Sequence, residues 1–189
     1  MPTAPDAFLA TWSVAMAAMM LPSEWPLVRL DHATSRSTVR SAALVSGYLI
    51  VWCGVGAVVF LADRASGGWV LGMHGRVLTA GVLLGGAAYQ LTPLKTRCLG
   101  VCRAPLARIL HGWRDGLAGA ARMGAVNGLW CIGCCVGLMA ALLVVGMMNV
   151  AAMVVVAAAI FVEKTTAIGG SARLGAAVAL AVGAVAWAA

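Results

Sequence analysis

Apolar residues fill six long runs of the chain, separated by polar or charged segments. Each run approaches the roughly 20 residues that an α-helix needs to cross a bilayer core about 30 Å thick. The predicted spans are 8–28, 41–62, 74–94, 122–146, 148–166 and 170–188. Because Pro22 and Pro26 interrupt the first run, we expect that helix to kink or end there. The pattern predicts an all-α, polytopic membrane bundle in a single transmembrane domain, 1–189.

The composition supports a membrane protein and argues against a soluble one. Hydrophobic residues make up 62% of the chain and charged residues only 10%, whereas a typical soluble protein is about 25% charged. The net charge of +7 would suggest nucleic-acid binding in a soluble protein. Here the basic residues cluster between apolar runs, so they indicate membrane topology, and no nucleic-acid partner is expected.

The distribution of Lys and Arg predicts the orientation of the bundle. Eleven of the 13 basic residues lie in, or within four residues of, the loops after spans one, three and five. The positive-inside rule places these loops in the cytoplasm, with both termini outside. Loop 95–121 is the longest connection, and its segment PLARILHGWRDGL predicts one short amphipathic helix at the lipid surface. The N-terminus has no basic residue before its apolar run, so we do not expect a secretory signal.

The segment WCIGCCVGLM places three thiols within span four. Cys131, Cys134 and Cys135 have the spacing of one helix face, and Asn127 and Met139 continue the same stripe. Thiolates are soft metal ligands, so the stripe is a candidate metal site. The alternative is a set of small residues at a helix crossing, because free cysteine also packs as a small hydrophobe.

A similar stripe of methionines occurs in span one. Met16, Met19 and Met20 share a helix face, and thioethers together with thiolates favour Cu(I). At a rise of 1.5 Å per residue, both sulfur stripes lie roughly 12–20 Å into the bilayer. We therefore expect both sets of sulfur atoms at the same depth, as one composite site. Taken alone, a methionine stripe is more often plain packing.

Two acidic residues and one amide within the predicted spans are further candidate ligands. Glu24 and Glu163 lie near the cytoplasmic ends of spans one and five, where a carboxylate is costly and usually functional. Glu163 could bind metal or accept protons that thiols release, and neighbouring Lys164 points elsewhere on the helix. Alternatively, both side chains extend to the polar interface of the membrane and keep their carboxylates in water. Asn149 begins the outer half of span five.

The cytoplasmic loop offers a second pair of thiols. Cys98 and Cys102 are four residues apart, and nearby basic residues favour their thiolates. The pair could capture metal or exchange disulfides, or the two cysteines could be unrelated. On the outer side of the membrane, Met147 and Met148 could exchange metal. The histidines fall in or near loops and are interpreted as solvated: His32, His74 and His111.

Several segments together resemble a known bacterial family. They are MAAMMLPS (16–23), GYLIVW (47–52), YQLTPLKTRCLGVCRAP (89–105), GLWCIGCCVGLM (128–139), GMMN (146–149) and EK (163–164). The family has no established function and is described as predicted metal-binding integral membrane proteins. The resemblance implies a metal-binding protein of the bacterial plasma membrane. Val136 stands where this family often has an aromatic residue.

Three functions are compatible with these residues. The favoured one is binding of a soft metal, with copper preferred, for transport or for delivery to a partner, without independent catalytic activity. The second is a structural or assembly subunit that packs against other membrane chains or a second copy. The third is a thiol–disulfide oxidoreductase that uses Cys131 and Cys134. Candidate metal ligands are Met16, Met19, Met20, Glu24, Cys98, Cys102, Cys131, Cys134, Cys135, Met139, Asn149 and Glu163.

Overall fold

The computed structural model describes residues 4–68, 70, 75–146, 149–166 and 169–188. Within these ranges the chain forms eight α-helices and no strand, which confirms the predicted all-α class. The helices are α1 Pro5–Ser35, α2 Thr38–Ala65, α3 Arg76–Gln90, α4 Pro93–Cys102, α5 Pro105–Gly112, α6 Gly116–Val145, α7 Val150–Thr165 and α8 Gly169–Ala188.

Three to four of the six predicted spans meet the length and hydropathy of a membrane crossing. In the described part of the chain these are helices α2, α6 and α8, and α3 with α4 taken as one segment bent by 66°. Helix α7 has 16 residues and so rises only about 24 Å. Helix α1 is long enough, but two prolines and Glu24 lower the hydropathy of its second half.

Helix α1 continues through its two prolines. Pro22 and Pro26 both lie inside the helix, which ends only at Ser35, so a helix end at Pro22 is not observed. Each proline removes a backbone N–H and leaves a carbonyl one turn earlier without its usual donor. The carbonyls concerned are those of Ala18 and Pro22.

The segment predicted as the cytoplasmic loop contains two short helices instead of one. Helix α4 begins directly at Pro93, whose fixed φ suits the first turn of a helix. Helix α5 corresponds to the predicted amphipathic segment and ends at Gly112. Most of 95–121 is therefore helical, since α6 already begins at Gly116.

Contacts within the chain define two compact units. The first contains residues up to Ala62 and Gly100–Cys131, and the second contains Asp63–Leu99 and residues from Ile132 onward. The first unit has a core of Leu27, Leu44, Ile109, Ala120 and Met123. The second has a core of Ala80, Leu83, Ala141, Val144 and Ala184. The single transmembrane domain stays a prediction.

Arg40 was predicted to lie in a basic loop, but it is buried within the first unit. Its Nε atom donates to Asp31 Oδ1 at 3.1 Å, and its Nη1 atom donates to the carbonyls of Arg114 and Gly116. Its guanidinium also lies 3.8 Å from the centroid of the Trp113 ring. This arginine therefore joins α1 and α2 to the chain around Arg114, and it does not act as a loop charge.

Glycines allow α2 and α6 to approach closely in the first unit. A Cβ atom added at Gly124 would overlap the Leu44 carbonyl and lie 3.0 Å from the Tyr48 nitrogen. A Cβ added at Gly47 would similarly overlap the Ala121 carbonyl. Because these neighbours are backbone atoms, rotation of a side chain cannot relieve the overlap. Both positions require glycine for this helix crossing.

Substitution Gly124→Ala is expected to destabilise the first unit by about 1–3 kcal/mol, the usual cost of overpacking. The matched control is Gly54→Ala on α2, where an added Cβ would have no neighbour within 4 Å. The control should be neutral or slightly stabilising, because alanine favours a helix over glycine by about 1 kcal/mol. Thermal unfolding in detergent, followed by circular dichroism, measures both variants. Equal melting temperatures for the two variants would contradict the close crossing.

Candidate metal centre

Cys131, Cys134 and Cys135 form a compact sulfur cluster on helix α6. Their Sγ atoms all lie within 4.8 Å of one another, and the Sγ atoms of Cys134 and Cys135 are 3.3 Å apart. The exposed fractions of the three residues are 0%, 2% and 1%. The cluster follows directly from the helix, since residues at i, i+3 and i+4 share one face. All six cysteines of the chain are described, and none forms a disulfide.

A tyrosine that the sequence did not indicate contacts this cluster. The Tyr48 hydroxyl on α2 lies 3.1 Å from Cys131 Sγ, and both residues are buried. A phenol O–H can donate to a thiolate and so stabilise its negative charge. The only signal in the sequence was an aromatic residue in the segment GYLIVW (47–52).

A buried ion pair holds the backbone of Cys134. Lys95 Nζ donates to the Cys134 carbonyl at 2.5 Å and to Glu163 Oε2 at 2.7 Å. Gln90 Nε2 donates to the other oxygen of Glu163 at 3.2 Å. The side chains of Lys95 and Glu163 are only 1% and 2% exposed. Lys95 was predicted to lie in the cytoplasmic loop, so its burial corrects that assignment.

The chemistry of the donors fits a soft metal. Thiolate sulfur favours Cu(I), Zn²⁺ and iron–sulfur clusters over hard cations such as Mg²⁺ and Ca²⁺. A structural zinc site takes four tetrahedral ligands, usually cysteine and histidine. Among the described residues, these three cysteines are the only group of three or more His, Cys, Asp or Glu side chains that lie close enough together to hold one metal ion. An all-sulfur donor set of this size suits Cu(I).

A comparison with protein families agrees with this chemistry. The family model described as PpoB2, copper chaperone, matches residues 9–188. The chain belongs to the PpoB2 copper chaperone family. Family membership and the buried cluster together support copper binding, as the cysteine spacing predicted. The same comparisons found no similar curated protein and no similar solved structure.

The three methionines of the predicted stripe are buried. Met16, Met19 and Met20 are 1%, 4% and 0% exposed, and they belong to the same compact unit as Cys131. Met139, one turn after Cys135 on α6, is partly exposed. Thioether ligation by these residues stays a prediction.

Glu24, a predicted ligand, has a partner on α6. Its Oε2 atom accepts a hydrogen bond from Asn127 Nδ2, and both residues are buried. Asn127 lies one turn before Cys131, as the predicted stripe requires. The carboxylate therefore forms a polar contact between α1 and α6 in the first unit. Metal ligation by Glu24 and by Glu163 stays a prediction.

The remaining predicted ligands differ in their surroundings. Cys98 is 4% exposed, whereas Cys102 at the end of α4 is partly exposed. Asn149 is exposed, and its side chain accepts a hydrogen bond from the Ala152 nitrogen at 3.1 Å, which caps α7. Asparagine before an apolar helix is a common capping signal, so this role could have been predicted. Met147, Met148 and His74 lie outside the described residues.

Proposed function

We propose that this protein is a membrane-embedded copper chaperone. It holds Cu(I) on Cys131, Cys134 and Cys135 and passes the ion to a partner protein. The observation that carries this proposal is the burial of three mutually adjacent thiols on one helix in a member of a copper chaperone family. Copper is the cargo in this proposal, and the chain needs no catalytic activity of its own.

Membrane embedding is supported by helix length and by the apolar surface. Three described helices are long and apolar enough to cross a bilayer. Large apolar side chains are also exposed along the helices, including Val77 at 88%, Val150 at 71% and Leu110 at 69%. An extensive apolar surface of this kind is costly in water and favourable in lipid. We infer a location in the bacterial plasma membrane, with both termini outside the cytoplasm.

The burial of the cluster suits Cu(I) more than a hydrated ion. Cu(I) binding displaces thiol protons and forms Cu–S bonds, and exclusion of water protects the thiolates from oxidants. Tyr48 supplies a hydroxyl beside the Cys131 sulfur. In this proposal the thioethers of Met16, Met19 and Met20 assist Cys131 as weaker ligands, because thioethers also favour Cu(I).

Metal analysis of washed membranes tests both parts of the proposal. Cells that express the chain are grown with copper, their membranes are washed with alkaline carbonate, and the protein is purified in detergent. We expect the chain to stay in the membrane pellet and to carry roughly one Cu(I) and little zinc, in keeping with an all-sulfur donor set. Inductively coupled plasma mass spectrometry gives both metal contents.

Other outcomes of this experiment would contradict the proposal or favour one of the two alternative functions. Release of the chain by the carbonate wash would contradict membrane embedding, and a membrane-bound chain without copper would contradict the cargo. Stoichiometric co-purifying subunits in a copper-free preparation would favour an assembly role. Trapped mixed disulfides at Cys131 or Cys134 would favour the oxidoreductase.

A further inference from the structure

Cys98 lies against the backbone of α6 beside the sulfur cluster. A Cβ atom added at Gly133 would lie 2.5 Å from Cys98 Sγ and 3.3 Å from Cys98 Cβ. Gly133 directly precedes Cys134, and all three residues belong to the second unit. The missing side chain at Gly133 therefore leaves the space that the Cys98 thiol occupies.

Tyr89 contacts the same residue of α6. Its hydroxyl donates to the Gly133 carbonyl. The Tyr89 ring also packs against α6 one turn later, since a Cβ atom added at Gly137 would lie 3.1 Å from Tyr89 Cδ1. Tyr89 and Cys98 therefore both contact α6 at Gly133, directly before Cys134, within the second unit.

The two thiols of α4 differ in exposure. Cys98 and Cys102 are four residues apart and share one face of the helix. Cys98 is buried, and Cys102 is partly exposed. Helix α4 therefore carries one partly exposed and one buried thiol, and the buried thiol lies beside Gly133.

We propose that Cys98 is the transfer ligand through which Cu(I) reaches the cluster. Cu(I) arrives as a complex with a small thiol, and the Cys98 sulfur bonds the ion as the Cu–S bond to the small thiol breaks and the departing thiolate takes up the Cys98 proton. As the Cys134 sulfur bonds the ion, its thiol proton is released, the Cu–S bond to Cys98 breaks, and the Cys98 thiolate takes up a proton. Copper remains Cu(I), and no electron moves. This inference rests on the proposed copper-chaperone function and adds an entry route to it.

Two variants remove the transfer ligand in different ways. Cys98→Ser deletes the thiol. Gly133→Ala keeps the thiol but displaces it, because the nearest atom to the new Cβ is the rotatable Cys98 Sγ and not a backbone atom.

Two control substitutions match these variants. Cys53→Ser removes a thiol that is hydrogen-bonded to the Ser13 hydroxyl. Gly85→Ala adds a Cβ atom that has no neighbour within 4 Å.

The experiment measures the rate and the extent of copper loading separately. Purified chain without copper is mixed with the Cu(I)–glutathione complex, and the ultraviolet charge-transfer absorbance of Cu–thiolate bonds is followed in time. Cys98→Ser and Gly133→Ala should load about 10-fold more slowly, a loss typical when a residue outside the ligand set is removed. Their final copper content should equal that of the unsubstituted chain, and both controls should load at its rate.

Other outcomes overturn the transfer role. Loading of Cys98→Ser at the unsubstituted rate would show that copper enters without Cys98. A lower final copper content in Cys98→Ser would instead make Cys98 a resident ligand. If Gly133→Ala fails to fold, Cys98→Ser decides alone. Failure of the unsubstituted chain to take up copper would contradict the proposed function itself, which is a different result from slow loading.

Discussion

Serine substitution of Cys131, Cys134 and Cys135 together is expected to reduce bound copper to background. Each hydroxyl replaces a soft thiolate with a hard, weakly acidic donor that Cu(I) does not favour. Because the three Sγ atoms lie within 4.8 Å of one another, they act as one site. Each single substitution should therefore weaken Cu(I) affinity by at least roughly 100-fold, or about 2.8 kcal/mol. Competition with a colorimetric Cu(I) chelator measures this affinity.

Cys53→Ser is the matched control for the triple variant, since Cys53 is a partly exposed thiol on α2. Its copper affinity should equal that of the unsubstituted chain. Leucine at Met16, Met19 and Met20 should weaken affinity less than the cysteine variants, because thioethers are neutral donors. Retention of copper by a folded triple serine variant would eliminate the cluster as the binding site.

Breaking the Lys95–Glu163 ion pair is expected to produce the largest loss of stability. Both side chains are almost fully buried, and removal of one partner leaves a charge without compensation in an apolar interior. Such losses cost about 3–5 kcal/mol. Lys95→Met would also remove the hydrogen bond to the Cys134 carbonyl. We expect Lys95→Met and Glu163→Leu each to lower the melting temperature strongly in detergent.

The stability of the double variant Lys95→Met with Glu163→Leu shows whether the two side chains are energetically coupled. Replacement of both partners by apolar residues of similar size is often close to neutral, so the double variant should recover most of the stability. Gln90 retains a buried amide in this variant, which limits the recovery. Additive losses in the double variant would show that the two side chains are not coupled.

The local part of the candidate site followed from the sequence. The spacing of Cys131, Cys134 and Cys135 fixes their common face as soon as the segment is helical, without any information on its neighbours. The long apolar runs predicted the helices because run length is also a local property of the sequence. Their bounds shifted most where local signals conflicted, as at Pro22, where α1 continues to Ser35.

The partners of the site did not follow from the sequence, because they depend on packing between distant segments. Lys95 follows Pro93 closely and resembles a loop residue, yet Glu163, 68 residues later, pairs with it in the interior. Arg40 was also counted as a loop charge and instead pairs with Asp31. Local charge patterns indicate which loops are basic, but they do not identify which basic residues are buried with a counter-ion.

The near-complete enclosure of the sulfur cluster has a kinetic consequence. With exposed fractions of 0–2%, the three thiols cannot contact an acceptor protein directly unless neighbouring helices first separate. The residence time of the ion would then depend on how often the fold opens, as in other exchange processes limited by local opening. At high acceptor concentration the off-rate would reach a plateau, so release would be timed by helix motion while the strength of the Cu–S bonds sets the equilibrium.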